Sequence, residues 1–188
     1  MERKYKLTEE TINVGDKTLY RIEALRDFCD VKKGDKGGYI ENEKNLSQSD
    51  DCWVYGNAQV YNNAKVFGNA EVRGNAHVYD DAEVYGNAEV YGYTMVYGDA
   101  EVYGNAKVYH YAMVYDNAEV CDNAIIGGNA RVYGNAKVYH YVMVYGNAKV
   151  YGSAEVYDDA MVYGNAKVYG SAEVSGDARV YGKAKICG

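Results

Sequence analysis

Residues 134–152 read GNAKVYHYVMVYGNAKVYG. A small residue, a variable one, an aliphatic one and a tyrosine are followed by two bend residues, and the phrase then begins again. Working outward, Val or Ile occupies every sixth position from Val54 to Ile186, 23 consecutive hexads without insertion or deletion. The residue two before it is Ala in 20 hexads, and Cys52, Thr94 and Val142 in the others. The residue after it is Tyr in 17 hexads, and Gly-Asn, Gly-Asp, Asp-Asn or Gly-Ser commonly follow. A repeat this short decides the fold before composition does.

Ala-x-Val-Tyr alternates, so Ala and Val share one face while x and Tyr share the other. Val and Tyr favour extended backbone. Gly-Asn and Asp-Asn accept the unusual angles of a bend. Strands of four residues are too short for useful hairpins, but they can be coiled. Three hexads per turn bring equivalent residues into register 18 apart. Each strand then pairs in parallel with the turn above and the turn below. The expectation is an all-β, three-walled parallel β-helix of seven to eight coils over residues 52–188, with Ala and Val inside. Residues 1–51 lie outside the repeat and are expected to cap its first coil. There, KTLYRIEAL reads as a strand, TINVGDK as the turn of a hairpin, and GGYI as a short strand between glycine bends.

The spacing of Val84 with Ala88, Val102 with Ala106 and Val162 with Ala166 resembles the hexapeptide repeat of left-handed parallel β-helix proteins. The left hand is implied by that resemblance, since connection rules alone favour the right. The segment LYRIEALRDF, GDKGGYI, ENEKNLS and WVYGNA resembles a small group of bacterial and phage hexapeptide proteins labelled as transferases. Many left-handed β-helix proteins are acyltransferases using acyl-CoA or acyl carrier protein, with a histidine as general base. The resemblance therefore offers His110 and His140, both at bends, as candidate catalytic residues. Nothing in the sequence places a carboxylate obviously beside either ring, and His77 is expected on a solvated surface. No loop interrupts the hexads, no phosphate-binding loop is present, and no metal spacing appears. No cofactor and no metal are expected.

Candidate binding residues come from the exceptions. Tyr93, Met95 and Tyr97 fall 18 before Tyr111, Met113 and Tyr115, which predicts one outward patch on neighbouring coils. Tyr141, Met143 and Tyr145 repeat the phrase on another wall, beside Met161, Tyr163 and Ile125. Exposed Met and Tyr clusters mark contact surfaces. Glu83, Glu101 and Glu119 are expected to stack as an acidic column at a cost in stability, unless a basic partner relieves it. Lys183 and Lys185 on the last strand would guard an edge otherwise suited to pairing with another copy.

The chain of 188 residues has 23 Tyr, two Phe, one Trp, no Pro and a net charge of −7. That charge disfavours nucleic acid and anionic membranes as partners. No apolar run suggests a membrane span. The charged start MERKYKLTEE lacks the apolar core of a secretion signal, so the cytoplasm is the expected compartment. Cys29, Cys52, Cys121 and Cys187 are expected as free thiols. Thr rows of the kind ice binding requires are absent, since Thr94 is the one threonine in the repeats. The expected function is that of a non-catalytic binding or scaffold protein, of the inhibitory kind a phage carries. It would engage a protein partner, or itself as a dimer or trimer. An acyl-CoA-dependent enzyme and a self-assembling structural rod are the alternatives.

Overall fold

The computed structural model describes residues 3–188. Short parallel strands stack into a β-solenoid of about eight turns, with one 3-10 turn at Glu43–Asn45 as its sole helix among the described residues. The repeat builds three walls. Wall I carries Val60, Val78, Val96, Val114, Val132, Val150, Val168 and Ile186. Wall II runs from Val54 to Val180, and wall III from Val66 to Val174. Partners are 18 apart throughout, as in Val96↔Val114, Ile126↔Val144 and Val102↔Val120.

The hexad explains each wall. The variable residue and the tyrosine donate backbone hydrogen bonds to the next coil, as Glu101 N does to Ala118 O (3.0 Å) and Tyr103 N to Val120 O (3.0 Å). The corner joins in, with Asn105 N bonding Asp122 O. The ladder therefore leaves few backbone groups unpaired. Inside, the repeat alanines and valines are fully buried over most of the length, and accessibility rises only at the last coil, to 38% at Ile186. Each buried Val contributes about 1.5–3 kcal/mol. Corners need left-handed backbone and close stacking together. Gly86 has φ +70°, and a Cβ there would meet the Gly104 nitrogen at 2.9 Å.

The N-terminal segment extends wall I. Strands β1 (Tyr5–Val14) and β2 (Lys17–Ala24) form an antiparallel hairpin, and β2 pairs with β3 (Lys36–Ile40). Strand β3 then joins the repeat in parallel, Ile40↔Val60. That spacing is 20, as is the bridge Leu46↔Val66, so the opening coil is two residues longer than those that follow. The expected strands and turn are present. The packing at the helix start was not anticipated. Trp53 lies edge-on between Tyr5 (6.1 Å) and Phe28 (5.3 Å). Lys4 is buried, its ammonium bonded to the carbonyls of Asp50 (2.6 Å) and Cys52 (2.8 Å). Burial pulls its pKa below the ordinary lysine value. All four cysteines are unbonded. No helix among the described residues is long and apolar enough to cross a membrane.

Candidate functional site

Corner residues show where the surface departs from its own pattern. The position after the bend is usually Asn, and these amides bond one another from coil to coil. Asn69, Asn87, Asn105 and Asn123 form such a chain at 3.0–3.1 Å, and Asn129, Asn147 and Asn165 another at 3.2–3.3 Å. Tyr93 and Tyr111 occupy the equivalent place two coils and one coil before Asn129, at the corner leading into wall I. Their rings stack at 5.4 Å with a 9° interplanar angle, and they are 57% and 58% exposed. Met95 and Met113 pair directly beside them on wall I. Tyr97 and Tyr115 stack at 4.9 Å on the far side of that wall. The predicted six residues therefore come together, with a difference of degree: the two corner tyrosines project, while the methionines and wall tyrosines are half-buried.

That half-burial has a cause. The wall tyrosines form one column from Tyr61 to Tyr169, with neighbouring centroids 4.8–5.2 Å apart and planes within 7°. Each ring covers the next, a favourable offset arrangement. Desolvation and the neighbouring phenols push Tyr79 up to about 12, and burial raises Tyr97, Tyr115 and Tyr133. These rings turn their edges outward and are poor platforms for a flat ligand.

The second copy of the phrase lies on wall II and its entering corner. Tyr141 takes the place of the next Asn in the chain that ends at Asn123, and it is 63% exposed. Met143 pairs with Ile125 and with Met161, and Tyr145 stacks on Tyr163 at 5.0 Å. Tyr141, Met143, Asp159, Met161, Asp177 and Arg179 line a shallow depression. The two patches are on different corners and do not merge.

The histidines differ from one another. His110 and His140 both adopt left-handed backbone, φ +64° and +62°. His110 sits edge-on to Tyr109, and no carboxylate among the described residues is bonded to it. His140, contrary to the sequence expectation, has carboxylates on both sides: Nδ1 lies 3.3 Å from Asp158 Oδ1 and Nε2 lies 3.9 Å from Asp122 Oδ2. An oriented imidazole is one half of a general base, but this ring is on an open corner. His77 also departs from expectation. It is half-buried on wall I, and desolvation lowers its pKa.

Glu83, Glu101 and Glu119 are direct cross-strand partners on wall III. The relief that such a column requires is built in. Lys65 bonds Glu83 at 2.8 Å from one end, and Lys137 bonds Glu119 at 3.1 Å from the other. Between them Glu101 accepts the Tyr85 hydroxyl at 2.7 Å. No grouping of His, Cys, Asp and Glu among the described residues has the geometry of a metal site. No protein-family model and no curated protein matches this chain.

Proposed function

We propose that the protein is a non-catalytic binding scaffold that holds a protein partner on the patch formed by Tyr93, Tyr111, Met95 and Met113. The observation that carries this reading is a stacked, projecting tyrosine pair at a corner whose next three coils carry the hydrogen-bonded asparagine ladder Asn129, Asn147 and Asn165. Tyrosine in place of asparagine gives up amide bonds on the surface and gains exposed apolar area. Contact sites are built that way, with Tyr as anchor and Met as adaptable filler. The repeat supplies a rigid backing, so little ordering cost accompanies binding. The Tyr141 and Met143 patch is a second, smaller contact of the same chemistry. The N-terminal resemblance suggests a bacterial or phage origin, and an inhibitor acting on a host protein in the cytoplasm is the setting we propose for this contact.

The test is the double variant Tyr111→Ser/Met113→Lys. Partner capture by the purified protein should fall at least tenfold, with the β-type circular dichroism and the melting temperature retained. Capture at the wild-type level in a folded variant would rule the patch out.

A further inference from the structure

Wall I changes character halfway along. Its variable column runs His77, Met95, Met113 and then Arg131, Lys149, Lys167, Lys185. The last four are successive cross-strand partners. Residues 128–135, 146–153, 164–171 and 182–188 form this half of the wall and its corners. With Lys183 they hold five cations and no Asp or Glu, on a chain of net charge −7. Among the described residues none of the five is in an ion pair, whereas Lys65, Lys107 and Lys137 on the other walls each reach a glutamate one coil away. Like charges directly opposite one another destabilise a sheet. Three such pairs in succession therefore cost stability, with no carboxylate paired to them among the described residues.

The matching surface is on the same chain. Residues 80–87, 98–105 and 116–123 form the middle of wall III and its corners, and they hold eight acids and no base. Their central column is Glu83, Glu101 and Glu119. Lys65 and Lys137 pair its two ends, which leaves Glu101 and the corner aspartates as the acids without a lysine or arginine partner among the described residues. One coil builds both columns, so both repeat at the same spacing of ~4.8 Å. We propose that the basic half of wall I docks against the acidic middle of wall III of a second copy of this chain. An unrelated polyanion would feel the same cations, but it does not share the pitch. The two surfaces differ, so the contact is heterologous and either closes into a ring or continues. It is independent of the Tyr/Met patch.

Sedimentation at rising protein concentration tests this, using the full chain and two charge-reversed variants. Lys149→Glu/Lys167→Glu alters only wall I. Asp99→Lys/Glu101→Lys alters only wall III. Each replaces a charge that stands among like charges, so circular dichroism should show both folded. In low salt the wild-type average mass should at least double with concentration. It should return to the monomer near 1 M salt, where the screening length is about 3 Å. Neither variant should associate alone, and an equimolar mixture should. Both variants stay net acidic, so general attraction cannot explain that rescue. Tyr111→Ser/Met113→Lys adds a lysine directly beside Arg131, so it should associate at least as strongly as the wild type while partner capture is lost, which separates this contact from the partner patch. A wild type that stays monomeric in low salt overturns the proposal, even if it binds a heparin resin. So does a mixture that fails to associate while both variants are folded.

Discussion

Thr94 stands where 20 of the 23 hexads place alanine, and it is fully buried with no hydrogen-bond partner for Oγ1 among the described residues. An unmet buried hydroxyl costs about 1–3 kcal/mol. Thr94→Val keeps the shape, and Val142 already fits an equivalent place. The variant should be more stable by about 1 kcal/mol in denaturant unfolding. A loss of stability would show that the hydroxyl is bonded in solution. At this scale the sequence was partly legible. Tyr93, Thr94 and Met95 announce themselves as exceptions to a strict repeat. The carboxylates of His140 do not, because Asp122 and Asp158 are distant along the chain. They become neighbours only when positions are counted one coil in each direction. The asparagine ladders that Tyr93, Tyr111 and Tyr141 interrupt depend on amide orientation, which no periodicity reports.

Single strands here are two to four residues long over most of the repeat, far too short to persist alone. The columns they share hold them. The tyrosine column of wall I couples successive coils through ring contact, and it also ties stability to pH. An unfolded phenol ionises near pH ~10. Tyr79 ionises at about 12 in the fold, because desolvation and adjacent phenols disfavour its charge, and Tyr97, Tyr115 and Tyr133 shift in the same direction. A group raised on folding contributes its full stability below its unfolded pKa and loses that contribution as pH climbs to the folded value. The melting temperature should therefore be flat through neutrality with respect to these phenols and fall steeply from pH ~10 upward. The tyrosinate absorbance of the column, read as the difference from a variant with Tyr79, Tyr97, Tyr115 and Tyr133 replaced by Phe, should appear together with loss of β structure. Those four phenols titrating near pH ~10 with the fold intact would contradict the shielded column. Outward alternation of x and Tyr was legible from the sequence, as was the stacking of Glu83, Glu101 and Glu119. Their relief by Lys65 and Lys137 at the two ends follows from the same arithmetic, whereas the Tyr85 hydroxyl on Glu101 required coordinates.

Across the whole molecule the repeat dictates a prism and the first 50 residues decide how it begins. The hairpin and the short strand could be read from turn chemistry. The two-residue excess in the opening coil could not, because no repeat crosses it. Lys4 shows the limit most clearly. A lysine in a charged stretch reads as solvated, yet it is buried and bonded to carbonyls at the start of the helix. Function is less legible than fold because any hexad fits any wall, so duplication can place a phrase on the surface without regard to its neighbours. What the walls display then depends on register alone. Register is tested directly by replacing the four native cysteines and introducing Glu101→Cys with Glu119→Cys, or Glu101→Cys with Met113→Cys. A disulfide needs Cα atoms about 4.4–6.8 Å apart. The first pair, in register on wall III, should close under mild oxidation, and the second, on different walls, should remain reduced. Closure of the second pair, or failure of the first, would contradict three hexads per coil.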